Sequence, residues 1–379
     1  MGKVSIKNIV IFSGAICAYL IGSGFATGQE VLQFFTSSGT KGLAAALIFL
    51  VIMGAAAYAV CGTAFKRKFE NPYDIFEYYC GKTVGKAYIW FSVVLNYCVF
   101  VVMLAGAGAT INQYYGLPSY AGTSAVAFLA LVTAVLGMQK LIKIVGVLGP
   151  IKIIFVSVLG IAAIIALVKQ PSLLREANIA IPTLGLKTAS ANWAWSGALY
   201  ALLCLMVSIP FIVSCASSAG NLSEAKAVGI TAPLAFSVAV VLLIIAELVN
   251  YALIAGTQVP TLAMASSISA VFGAVFSIII ILAIYSAVSS LLIMTVRKFA
   301  VDKTRKFNSL AVILTAAGML LGGLIPFDKL VSVMYPLAGY SGILFIILLI
   351  KKESGIEFSR KKSTAQHSSA YLQNERPTI

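Results

Sequence analysis

Ten apolar runs, most of them long enough to cross a bilayer as a helix of about 20 residues, follow one another along this chain. They cover about residues 8–35, 41–65, 86–113, 121–137, 143–168, 193–217, 228–254, 268–296, 308–325 and 329–350. Within hydrocarbon every backbone polar group must find its partner inside the protein, which leaves helices and closed barrels as spanning structures. Barrel strands alternate apolar and polar residues, and these runs do not. The pattern predicts an all-α polytopic membrane protein. Composition agrees: hydrophobic residues make up 60% of the 379 and charged residues 10%, too few charges for the surface of a soluble domain of this size. No cleavage pattern of a signal peptide follows the first run, which is therefore expected to remain as a membrane helix.

An even number of spans puts both ends of the chain on one side. With residue 1 inside, the inner segments hold 21 of the 27 Lys and Arg and the outer ones 5, with Lys152 inside a span. The positive-inside rule then places both termini in the cytoplasm of a multi-pass protein of the plasma membrane. The formal charge of +15 is explained by basic clusters at span ends, such as Lys66-Arg67-Lys68, which suit topology and anionic lipid rather than nucleic acid. The six cysteines read as reduced packing residues. The loop from Lys66 to Lys86 is expected along the inner interface, and residues 351–379 as a polar, disordered cytoplasmic tail.

The longest outer loop, 169–192, divides the spans into five (residues 1–168) and five (193–350). Five is odd, so the halves have opposite orientation, as an inverted repeat requires. The first span is broken by Gly22-Ser23-Gly24-Phe25-Ala26-Thr27-Gly28, three glycines in seven positions. Such a break frees backbone groups that are costly in hydrocarbon unless a cavity or ligand takes them. Close helix packing through small residues is the competing reading, although packing glycines are spaced by four. An inverted repeat predicts a matching interruption in span six, and Pro210 in Val207-Ser208-Ile209-Pro210-Phe211 is its candidate.

The run Gly22-Ser23-Gly24-Phe25, followed by a short helix, a turn at Gly39 to Gly42 and a second span, resembles the opening of the amino acid-polyamine-cation superfamily, whose fold is the LeuT-like five-plus-five inverted repeat. The longer run to Glu30 resembles the YkvI-type membrane proteins, relatives of those transporters without an assigned substrate. The resemblance implies a small solute, an amino acid or a similar amine or carboxylate, held at two breaks. On this chain it points to Ser23, Gly24 and Phe25 in span one, to Ser208, Ile209 and Phe211 in span six, with Phe211 as an aromatic lid, and to Tyr97 in span three.

Two features compete for coupling. Ser286, Ser289 and Ser290 share one helix face and offer oxygens that suit Na+. In sodium-coupled relatives a site of this pattern is completed by carbonyls before the first break, here those of Ala18 and Ile21. Alternatively Lys152, about nine residues into span five, is expensive there and reads as functional. Proton-coupled or sodium-independent transporters resemble it in having a fifth-span lysine whose ammonium takes the sodium position. The two cannot operate together, and Lys152 is expected to point toward Ser289 and Ser290. Glu30 and Glu247 are the carboxylates inside spans; Glu30, directly after the break, is expected to line the outer vestibule, carry a proton or attract an amine.

Enzyme chemistry finds no support. The single histidine, His367, lies in the tail, Asp74, Asp302 and Asp328 lie in loops, and there is no GxxxxGK[ST] sequence for ATP. No cofactor is expected beyond Na+ as a coupling ion. The alternative to a transporter is a sensor, since the membrane subunits of spore germinant receptors resemble transporters of this fold but bind a small molecule to signal.

Overall fold

The computed structural model describes residues 4–136 and 138–373, with side chains described except at 138–151, 153 and 356–373. Among the described residues the chain is helical and contains no strand. Ser5 caps α1 (Ile6–Leu20) by accepting from the Asn8 amide, and α1 stops where the glycine-rich run begins. Two short helices follow, α2 (Ser23–Ala26) and α3 (Gln29–Phe34), joined at Gly28, whose φ of +89° suits a residue without Cβ. Then come α4 (Lys41–Arg67), α5 (Asp74–Tyr115), α6 (Ser119–Leu136), α7 (Met138–Lys169) and α8 (Leu173–Ala180). The second half holds α9 (Trp193–Ser217), α10 (Leu222–Val249), α11 (Tyr251–Ile254), α12 (Pro260–Ile268), α13 (Ala270–Arg297), α14 (Arg305–Leu324) and α15 (Phe327–Gln373).

Eight of these helices are each long and apolar enough to cross a membrane. By itself α1, at 15 residues, measures only about 22 Å, and its crossing is completed through α2 and α3. The ten apolar runs therefore correspond to α1–α3, α4, α5, α6, α7, α9, α10, α13, α14 and α15. Side-chain oxygens of Asn192, Asn221, Ser269 and Thr304 cap α9, α10, α13 and α14, which satisfies amides that have no partner inside the helix.

The packing repeats itself between the halves. In the first half α1 lies on α7 and α5 on α6; the corresponding α9 lies on α15 and α13 on α14. Across the halves α4 packs on α9 as α1 does on α10, and α13 on α6 as α14 on α5. This exchange of partners is what an inverted five-plus-five repeat produces, and the fold is LeuT-like. One bundle consists of α1, α4, α9 and α10, and α5, α6, α13 and α14 form the scaffold beside it. Within the bundle α9 is central, with 94% of its spanning window buried.

Several expectations are corrected. The interruption expected in span six is absent: α9 is continuous with Pro210 inside it. Proline removes one donor and crowds one turn, but a single site enclosed by neighbouring helices does not unwind the helix as three glycines unwind α1. The loop expected on the inner side, Lys66 to Lys86, is largely helix, because α5 begins at Asp74 and bends at Gly81 (φ +76°). The connection 169–192, expected on the outer side, carries α8, and the segment between α10 and α13 carries α11 and α12. The expected tail, 351–379, begins within α15, and its side chains from 356 onward lie outside those described.

Candidate functional site

The break at the end of α1 leaves carbonyls without their helical donors. The Gly22 amide, which would bond Ala18 in a continued helix, turns to Leu20 instead, and Ile21 closes on Cys17. Lys152 supplies what is missing. Buried on α7 with 3% exposure, its ammonium donates to the carbonyls of Ala18 (2.8 Å), Ile21 (2.8 Å) and, on α13, Ala283 (2.9 Å). An ammonium has three donors, so all are engaged. Lys152 thus ties the broken end of α1 to α13, joining bundle to scaffold at the two carbonyls expected to complete a cation site.

That arrangement corrects the expectation that Lys152 points toward Ser289 and Ser290. Their hydroxyls bond back to their own helix, Ser289 to Tyr285 (2.7 Å) and Ser290 to Ser286 (2.8 Å), while Ser286 donates to Ala283 (3.0 Å). With the Ala18 and Ile21 carbonyls held by a positive charge, the residues present do not fit Na+ at this position.

The residues expected at the solute site are brought together in part. Ser23, Gly24, Phe25, Ser208, Ile209 and Phe211 are all buried. Phe25 packs against Phe236 of α10 at 4.9 Å between ring centroids. Phe211 stacks on Tyr19 of α1 at 4.6 Å and 19°, and the Tyr19 hydroxyl donates to the Val207 carbonyl (3.2 Å), so α1 and α9 meet beside the break. Ser208 bonds back to Cys204 (2.6 Å). The Ser23 hydroxyl is buried without a partner. Tyr97 is not at this site: its hydroxyl donates to Leu314 of α14 (3.0 Å) and its ring stacks on Phe100. Helical phase turns it toward the scaffold, which span position alone did not reveal.

Both carboxylates within spans reach the break. Glu30 folds back from α3 so closely that a Cβ on Gly24 would lie 2.0 Å from its Oε1. Its Oε2 accepts from the Tyr200 hydroxyl of α9 (2.6 Å), and Tyr335 of α15 approaches the same carboxylate without meeting hydrogen-bond geometry. Glu247 accepts from the Thr36 hydroxyl (2.6 Å), and its Oε1 stands 2.7 Å from where a Cβ on Gly28 would be. Tyr200 and Tyr335 were not identified from sequence; among 16 tyrosines no local pattern marks them. The glycines of the break thus have two uses: they end a helix, and they admit two acids.

The two ends of the protein differ. At the end away from the basic clusters, Lys187 pairs with Asp328 and Gln33 donates to the Asp328 carbonyl (3.5 Å). There α12 is pinned to the break, Thr261 donating to the carbonyls of Thr27 (3.0 Å, amide) and Ala26 (2.7 Å, hydroxyl). At the basic end a cavity of about 430 Å³ is lined by Glu70, Asn71, Tyr73, Ser214, Arg297 and Asp302, among others. At its wall Tyr73 donates to the Met294 carbonyl (3.1 Å).

No family model matches the chain. Among curated proteins of Bacillus subtilis (strain 168), it is 27% identical over 136 residues to "Uncharacterized protein YyaD" and 27% identical over 139 residues to "Uncharacterized membrane protein YkvI". Each match covers 36% of this chain and 39% of the relative. Among solved structures it is similar to MhsT in complex with L-phenylalanine (TM-score 0.61, 18% identity, 91% of this chain and 90% of that one). It is similar also to a Na+-coupled sialic acid symporter in a substrate-bound outward-open state (0.59, 12%, 90% and 78%). A third is Mhp1, a nucleobase-cation-symport-1 family transporter, closed with bromovinylhydantoin bound (0.55, 14%, 85% and 73%). These likenesses carry the fold.

Proposed function

We propose that this protein is a secondary transporter of the plasma membrane that moves a small amino acid, or a similar amine or carboxylate solute, by alternating access, coupled to protons rather than to Na+. The observation that carries the reading is the ammonium of Lys152 on the carbonyls of Ala18, Ile21 and Ala283. A buried lysine in a membrane helix is costly and needs a task; here it holds the broken end of α1 against α13. Loss of its proton removes the charged donor from three carbonyls and loosens bundle from scaffold, while rebinding restores the tie. Proton exchange at one residue thereby becomes movement of the half-helix that borders the solute.

The asymmetry of the two ends supports alternating access. With both termini in the cytoplasm, the cavity of about 430 Å³ opens inward while the Lys187–Asp328 pair and α12 close the outside. The bound molecules named for MhsT and Mhp1, L-phenylalanine and bromovinylhydantoin, are consistent with a small organic solute beside the break. Uptake of a labelled amino-acid panel into proteoliposomes containing only this protein tests the reading, with inward Na+ and inward proton gradients applied separately. Accumulation under the proton gradient alone is the expected result. Accumulation that requires Na+ overturns the role given to Lys152, and specific binding without accumulation under either gradient replaces the transporter with a ligand-binding sensor.

A further inference from the structure

Both α4 and α15 pack on α9 but meet one another at few residues, and between them runs a groove of about 390 Å³. Val51, Ile52, Ala56 and Ala59 of α4 line one side of it, and Ile346 and Ile350 of α15 the other. From Val51 to Ala59 the helix rises about 12 Å, most of the roughly 15 Å that one leaflet adds to the hydrocarbon core. Both helices are long and apolar enough to span a membrane, and Val51 and Ile350 are 69% and 57% exposed, so the groove opens toward lipid. Ile52, Ala56, Ala59, Thr63 and Arg67 recur at helical spacing and share one stripe of α4, which leads from the groove to the basic end. There two cations rest against one ring: Arg67 Cζ lies 5.1 Å and Lys352 Nζ 4.3 Å from the centroid of Tyr78. Lys352 also donates to the Tyr78 carbonyl. Like charges held this close repel, and neither has a carboxylate partner among the described residues, where the ion pairs are Lys187–Asp328 and Arg297–Asp302. Glu353, at the end of the groove, turns to Tyr79 and Thr63, whose hydroxyls donate to its Oε1 at 2.9 and 3.4 Å.

We propose that this groove holds an anionic phospholipid, with an acyl chain between α4 and α15 and its phosphate on Arg67 and Lys352. The site requires only that α4 and α15 cross a bilayer and owes nothing to the solute that the protein carries. A guanidinium meets a phosphate through paired N–H donors and an ammonium meets it as a point charge. One phosphate shared by the two replaces their repulsion with two attractions. Tyr78, against which both cations rest, has an apolar ring and a polar tip, the combination that suits the depth of lipid headgroups. The small side chains of Ala56 and Ala59 leave the groove open, whereas bulk there would close it. A zwitterionic headgroup carries its own cation to the same place, which Arg67 and Lys352 repel. A free phosphate would satisfy the two cations and leave the apolar groove unfilled, so the tail and the headgroup are required together.

Thermal unfolding of the purified full-length protein in a non-ionic detergent tests the assignment, with phosphatidylglycerol, phosphatidylcholine of the same acyl chains, or inorganic phosphate added at matched ionic strength. Phosphatidylglycerol is expected to raise the melting temperature in a saturable way, phosphatidylcholine to raise it much less and inorganic phosphate to leave it unchanged. Arg67→Gln combined with Lys352→Gln is expected to weaken the phosphatidylglycerol response roughly tenfold or more in apparent affinity. Lys303→Gln combined with Lys306→Gln removes the same charge where α13 connects to α14, away from the groove, and should leave the response within about twofold. Ala59→Phe fills the groove without touching the cations; it should weaken the response as well, and serves where the Arg67 and Lys352 variant does not fold. A phosphatidylcholine or inorganic phosphate response as strong as that to phosphatidylglycerol overturns the proposal. So does equal weakening by the two pairs of charge variants, a response unchanged by both the cation and the groove variants, or no response to any probe.

Discussion

Glu30 occupies the space in which Gly24 would carry a side chain: a Cβ there would lie 2.0 Å from Oε1 of the acid. The two residues are six apart and on different helices, α2 and α3, and they meet because the chain turns at Gly28, whose φ is +89°. The glycine that weakens the helix is therefore also the floor on which the buried acid rests.

Gly24→Ala should accordingly cost both stability and function. The methyl group displaces Glu30 and breaks its bond to Tyr200, with an overpacking cost of about 1–3 kcal/mol. A lowered melting temperature together with loss of uptake is the expected outcome. Full uptake by the variant would show that the position of Glu30 does not matter.

Lys152→Ala removes the donor from the buried carbonyls of Ala18 and Ile21, each left unsatisfied at about 1–3 kcal/mol, while the Ala283 carbonyl keeps the Ser286 hydroxyl. It also empties a position whose carbonyl ligands suit a small cation. The variant should melt lower than the wild type and should be stabilised by NaCl over choline chloride, whereas the wild type should respond to neither. Equal melting of the variant in the two salts would argue against a cation position at Ala18 and Ile21.

Tyr97→Phe removes one hydrogen bond to the Leu314 carbonyl at the α5–α14 contact, worth about 1 kcal/mol. Solute affinity should stay within about twofold of the wild type, since the hydroxyl faces away from the break. A large fall in affinity, measured by uptake at varied solute concentration, would return Tyr97 to the site.

Asp328→Asn breaks the ion pair with Lys187, whose side chain is 42% exposed, at the end proposed to face outward. Its effect on stability should be small, under about 1 kcal/mol. Its effect on conformation should be larger: a cysteine introduced at Leu32, on the wall of a cavity of about 160 Å³ that Lys187 and Asp328 also line, should react faster with a membrane-impermeant thiol reagent. No change in labelling rate would mean that α12 alone keeps the outside closed.

Much of this architecture was legible in the chain because hydropathy and backbone chemistry are local. Ten apolar runs gave the helices, and the break between Leu20 and Gln29 followed from its three glycines. The special standing of Lys152 and Glu30 followed from the cost of charge in a span. The unbroken α9 was not legible, since whether a proline kinks or interrupts a helix depends on what surrounds it.

What the amino-acid order determined by itself was therefore the class of fold, the span count, the break in the first span and the residues costly enough to need a purpose. The tertiary structure decided which of those residues meet. It placed Lys152 rather than a serine face on Ala18 and Ile21, turned Tyr97 away, and brought Tyr200 and Tyr335 to Glu30 from helices about 170 and 300 residues further along. The physical reason is reach: hydropathy and helix breaking are set by neighbours in the chain, whereas a hydrogen bond is set by helical phase and by the packing of helices distant in sequence.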